Sequence, residues 1–231
     1  VLQELRKMDD PPVVIMLSTL TQEGSEMTIK ALELGAFDFI SKPAEGRMAE
    51  NMQKVKDAIS PIITALQRRK ETRFKIQNKL RSARPRPSSV PSPMPHPKQQ
   101  SRVVRAKSEV VGIGISTGGP NALTTMIPQL PANLKACILI VQHMPPVFTA
   151  SLANSLNNKS PMTVKEAQDG DLIEPGKILI APGGKQMKIV AGADGLSRKI
   201  KITDDPPENS CKPSADYLFR SIAQHYVGRS T

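Results

Sequence analysis

One serine and one histidine in this 231-residue chain are placed to do acyl-transfer chemistry. Ser116 stands in Gly114-Ile115-Ser116-Thr117-Gly118, behind the apolar, β-branched segment that starts at Val110 and ahead of an amphipathic run, Ala122 to Leu130. Strand, glycine-rich turn and helix in that order predict a serine raised on a sharp strand-to-helix turn. Gly114 and Gly118 suit a strained turn. The helix start behind the serine leaves backbone N–H groups, that of Thr117 first, free to hold a developing oxyanion. The same glycines also fit two other readings, a loose nucleotide-phosphate cradle and a purely structural turn.

The chain has three histidines. His96 lies in a proline-rich stretch, and His225 lies near a helix end, where a cation suits the dipole. His143 follows the next apolar strand, Lys135 to Val141. Adjacent parallel strands run ~4.8 Å apart, so side chains at their carboxyl ends can meet. His143 is therefore the candidate general base for Ser116; the alternative is a strand-end histidine satisfied by backbone. A dinucleotide site would want an acid where Gln142-His143 stand, and Gly119-Pro120 is not a Walker-type phosphate loop. Asp169, Asp171, Asp204 and Asp205 sit beside Gly or Pro and read as turn acids rather than metal ligands.

These residues need a scaffold, and the patterning supplies alternating strands and helices, which predict parallel α/β sheets. After a short helical start and the break at Asp9-Asp10-Pro11-Pro12 come a strand (Val13 to Leu17), a helix (Glu23 to Leu34, closed by Gly35), a short strand (Phe37 to Ile40) and a long helical stretch (Met48 to about Arg81). Ser18 and Lys42 then fall at strand carboxyl ends, where such sheets bind ligands. Beyond His143 the reading is a helix (Val147 to Asn158), four short strands starting at Met162, Lys177, Met187 and Arg198, and a helix capped by Ser214.

The net charge of +11 is local. Residues 68–107 hold 13 Lys/Arg and one acid, a net of +12, leaving −1 for the rest. Six prolines, from Pro85 to Pro97, make this a semi-extended basic linker. Phe74 is its one aromatic, so it offers no base-stacking platform and no nucleic-acid partner is expected. The longest apolar run, Ala136 to Val141, is far too short to span a membrane. Cys137 reads as a small buried hydrophobe. Two isolated cysteines without metal-ligand spacing, and no visible signal peptide, fit a reduced, cytoplasmic setting. The start at Val1 and the stop at Thr231 suggest a fragment truncated at both ends.

Several blocks together resemble one family. They are Gly112 to Pro120, Gln142-His143-Met144-Pro145-Pro146, Glu166-Ala167-Gln168-Asp169-Gly170, Ile180 to Gly183, and Lys212-Pro213-Ser214-Ala215-Asp216-Tyr217-Leu218-Phe219. They are similar to the catalytic domain of the chemotaxis response-regulator protein-glutamate methylesterases. Ser18 and the pair Lys42-Pro43 resemble the carboxyl half of a receiver domain. The implied architecture is a partial, flavodoxin-like, doubly wound receiver (1–67), the linker (68–107) and a parallel-sheet α/β methylesterase domain (108–231). The implied activity is hydrolysis of glutamate methyl esters, and deamidation of glutamines, on the cytoplasmic domain of chemoreceptors, with the unphosphorylated receiver covering the site. The resemblance assigns Ser116 as nucleophile, His143 as base and Thr117 as its neighbour, with Ser18 and Lys42 as receiver switch residues. It implies a chemotaxis histidine kinase as partner, no cofactor in the esterase domain, and Mg²⁺ for receiver phosphorylation. The family's phosphoacceptor aspartate and its acidic pocket lie upstream of the residues here. Its third catalytic member, an aspartate in a turn after the next strand, is not in this chain, so low activity is expected of the chain by itself. Val147 stands where the family usually has glycine, and Ser155 where arginine is common. Two rival readings are a non-enzymatic phospho-switched adaptor and a nucleotide-binding α/β domain.

Overall fold

The computed structural model of the chain describes residues 1–43, 45–82 and 107–231. The proline-rich part of the expected linker and His96 lie outside the described residues. Residues 68–82, expected at the start of that linker, continue a helix.

The N-terminal unit consists of α1 (Leu2–Leu5), β1 (Ile15–Ser18), α2 (Gln22–Glu33), β2 (Asp38–Ser41) and α3 (Met48–Ser82). β1 and β2 pair in parallel, with Ser18 opposite Ser41. Thr21 caps α2 by accepting the Gly24 N–H at 3.0 Å, a bond that satisfies one of the orphan donors of the first turn. Gly35, at φ +101°, ends α2.

The C-terminal unit follows in the order β3 (Val110–Ile115), α4 (Gly119–Met126), a 3₁₀ turn (Ile127–Gln129), β4 (Cys137–Gln142), α5 (Phe148–Asn157), β5 (Thr163–Glu166), β6 (Lys177–Ile180), β7 (Gln186–Ala191), β8 (Arg198–Thr203) and α6 (Ala215–His225). Four of these strands form a parallel sheet in the order β3-β4-β6-β5, and β7 and β8 form an antiparallel hairpin. Every residue of β4 is buried, as a strand covered on both faces requires. Its Ile138 and Ile140 pack with α4 and α5, while Cys137, Leu139 and Val141 pack with α6 and the hairpin. Cys137 is 1% exposed, and burial pushes its thiol up to about 12.

Two local expectations are corrected. The helix expected from Ala122 to Leu130 begins at Gly119 and tightens to 3₁₀ at Ile127. The Ser214 side chain makes no capping bond; its backbone N–H donates to Gln186 Oε1 at 2.8 Å.

The apolar cluster on the α4/α5 face continues into the N-terminal unit through Ile29, Leu32 and Ala36. Phe39 stacks on Phe148 with ring centroids 4.5 Å apart. Ser25 and Ser151 share a hydrogen bond of 2.7 Å, and Lys159 reaches Glu33 at 2.6 Å. Ser155 donates to the same Glu33 carboxylate. Burial alone would raise that carboxyl, but the Lys159 and Ser155 hydrogen bonds hold it below its usual range. Val13, Leu17 and Met27 of the unit are exposed.

Candidate active site

The register of β3 and β4 places the site. Ile115 is opposite Gln142, and the His143 N–H donates to the Ile115 carbonyl at 3.2 Å. Ser116 and His143 are thus the next residues of two hydrogen-bonded neighbouring strands, and both are exposed. Ser116 Oγ has no hydrogen-bond partner among the described residues, and the serine–histidine side-chain bond is not made. Such bonds are commonly long in free enzymes and tighten with substrate. Although His143 as a whole is exposed, its ring is partly desolvated by the atoms around it, and this lowers its pKa below the usual value, which favours the neutral imidazole that accepts a proton.

The turn after Ser116 is held by named contacts. Gly118 caps α4 at φ +73°, a conformation open to glycine at little cost. Gly114 has a different reason from the one expected. It is not at positive φ; a Cβ there would lie 2.7 Å from the Ala215 Cβ, so α6 packs too closely on β3 for a side chain. The Ser116 carbonyl accepts the Gly119 N–H at 2.8 Å and Gln142 Nε2 at 3.0 Å. The Thr117 N–H has no partner among the described residues, which suits an oxyanion donor at a helix start.

Sequence reasoning missed three neighbours. Asp38, 7% exposed, accepts the Gly118 N–H at 2.9 Å with Oδ2 and the Phe39 N–H at 2.9 Å with Oδ1. Burial raises its carboxyl above the usual range although both N–H bonds pull it down. Asn121 Nδ2 donates to the Ala36 and Phe37 carbonyls at 2.6 and 3.1 Å. The N-terminal unit therefore sits directly against the start of α4, two residues from Ser116. Third, Cys211 Sγ lies 3.7 Å from His143 Nδ1. No carboxylate bonds the His143 ring among the described residues. Glu166 accepts from the Thr149 hydroxyl, and Asp216 from Asn209. Arg229–Thr231 run along the free edge of β3: the Thr231 N–H donates to the Val110 carbonyl at 3.1 Å, and the Thr231 carbonyl accepts the Gly112 N–H at 2.9 Å.

Ser18 and Lys42 come together at the carboxyl ends of β1 and β2, where the Lys42 N–H donates to the Ser18 carbonyl at 2.6 Å. The Ser18 hydroxyl accepts from Thr28 Oγ1 at 2.6 Å and donates to the Gly24 carbonyl at 3.0 Å. The acids considered as metal ligands are engaged in turns and ion pairs. Asp169 accepts the Ile202 N–H and Lys201 Nζ, which holds its carboxyl below the usual range. Asp171 pairs with Lys165 and Asp204 with Lys185, and Asp205 accepts from Tyr217. Among the described residues no three His, Cys, Asp or Glu side chains gather to hold a metal. The Mg²⁺ implied for a receiver finds no donor set in them. No helix among them is long and apolar enough to cross a membrane.

Residues 111–231 match the family model described as CheB methylesterase. A protein-glutamate methylesterase/protein-glutamine glutaminase of Desulfotalea psychrophila is 52% identical over 235 residues, covering 100% of this chain and 63% of the relative. One of Bacillus licheniformis is 43% identical, covering 93% of this chain and 58% of the relative. The crystal structure of the Thermotoga maritima CheB methylesterase catalytic domain matches with a TM-score of 0.51 at 39% identity, over 54% of this chain and 65% of that one. The chain spans about three fifths of the length of these curated relatives. With its serine turn, its neighbouring histidine and this matched parallel sheet, the chain belongs to the CheB methylesterase family.

Proposed function

We propose that the protein hydrolyses glutamate methyl esters, and deamidates glutamines, on the cytoplasmic domain of chemoreceptors, working in the cytoplasm. The observation that carries this is the β3/β4 register, which sets Ser116 beside His143 in front of a helix start. Ser116 Oγ attacks the ester carbonyl while His143 takes its proton. The Thr117 N–H holds the oxyanion. His143 returns the proton to the leaving methanol, then activates the water that frees the glutamate. Residues 1–67 act as the carboxyl half of a receiver that accepts phosphoryl groups from a chemotaxis histidine kinase, with Ser18 and Lys42 as switch residues. The docking of α2 and β2 on α4 and α5 supports a unit that covers the site until it is phosphorylated. Arg229–Thr231 run parallel to β3 through an isolated bridge between Val110 and Ser230. Among the described residues no carboxylate bonds the His143 ring, and a serine–histidine pair needs such a group to orient its imidazole. Ser116→Ala in the protein's full chain is the test: methanol release from methylated receptor should vanish while the thermal transition is kept. Undiminished release overturns the assignment.

A further inference from the structure

Gln142, the last residue of β4, is 2% exposed. Its Nε2 donates to the Ser116 carbonyl at 3.0 Å and lies 3.4 Å from the His143 carbonyl. One amide nitrogen thus touches the main chain of both the serine and the histidine. Both partners are acceptors, and this fixes the amide orientation, nitrogen toward the two carbonyls and oxygen away. Oε1 is left buried without a hydrogen-bond partner. It faces Gly119, where an added Cβ would come within 1.9 Å of it. An unpartnered buried acceptor is costly, so this amide is not held in place by what its oxygen gains. Ser116 Oγ and the His143 ring are not bonded to each other, and their separation depends on the main chain that carries them. We propose that Gln142 is a positioning residue of the acyl-transfer site: its two N–H groups tie the Ser116 carbonyl to the His143 carbonyl and set the distance between nucleophile and base. The inference rests on the Ser116–His143 reading above. It adds a residue that touches neither substrate nor reacting atoms.

The test compares Gln142→Met and Gln142→Glu with the parent in the protein's full chain. Methanol release gives kcat and KM across pH, and labelling of Ser116 by a fluorophosphonate reagent gives the reactivity of the serine. Gln142→Met keeps the volume and removes both donors. Misplacement by about 1 Å costs on the order of 10²-fold, so kcat and labelling should fall by about that factor, with KM within about twofold and the melting transition kept. Gln142→Glu is isosteric. Its carboxylate faces two carbonyl oxygens and repels them, whereas its protonated form donates to one. Its activity relative to the parent should therefore rise as pH falls, which a purely structural role would not produce. Labelling and turnover of Gln142→Met within twofold of the parent, or a relative activity of Gln142→Glu that ignores pH, overturns the proposal. If the parent is labelled at Ser116 but releases no methanol, the proposed substrate is wrong and the labelling rates alone judge Gln142. An unlabelled parent overturns both.

Discussion

Val147 joins the strand end that carries His143 to α5, and its backbone sits at φ +73°, ψ −43°. A β-branched residue is strained there, at a cost of about 1–3 kcal/mol. Two substitutions separate this strain from packing. Val147→Ala removes two methyl groups from a half-buried side chain and keeps a Cβ at positive φ, so the strain stays and about 1 kcal/mol of burial is lost. Val147→Gly loses the same methyl groups and loosens the unfolded chain at a cost of about 0.5–1 kcal/mol, but it releases the strain. The glycine variant should therefore be more stable than the alanine variant by about 1 kcal/mol, the reverse of their order in a regular helix. For a chain of this size that is about 2–4 °C in Tm. Calorimetry of both variants at neutral pH measures it. An alanine variant that melts at or above the glycine variant would refute the strain argument, whatever either does relative to valine.

Two further predictions concern the site and its cover. Partial desolvation lowers the His143 pKa, so the base stays unprotonated to lower pH than a free imidazole: the acidic limb of kcat/KM should be centred below 6.5, and a limb centred above 6.5 contradicts the desolvation. Phe39→Ala removes the ring stacked on the fully buried Phe148. Because Phe39 is only half-buried, the loss should be about 2 kcal/mol rather than the 3–5 of a core phenylalanine, or roughly a 30-fold rise in opening of the N-terminal unit. Hydrogen exchange in α2 and β2 should quicken while α6 is unchanged; unaltered exchange in α2 and β2 counts against the docking.

That Ser116 and His143 are neighbours was legible because strand, turn and helix each leave a short-range mark, and parallel pairing then fixes which strand ends meet. The order of strands and helices was legible for the same reason, with boundaries shifting by a few residues where tertiary contacts take over. Ser214 shows such a shift: its pattern says cap, but Gln186, 28 residues away in sequence, takes its N–H instead. Val147 was singled out only by the family resemblance, which implies glycine there; the positive φ is a conformation that favours glycine. Asp38 and Gln142 carried no comparable mark. Asp38 looks like a polar residue opening a short strand, and its partner, the Gly118 N–H, is 80 residues distant. Gln142 looks like the polar end of an apolar strand. Its role depends on the register that brings the Ser116 carbonyl within 3.0 Å across 26 residues of sequence. Contacts made through a side-chain amide or carboxylate to distant main chain leave no periodicity, spacing or composition to read. The two side chains of the candidate site are therefore marked locally in sequence, and what holds them in place is not.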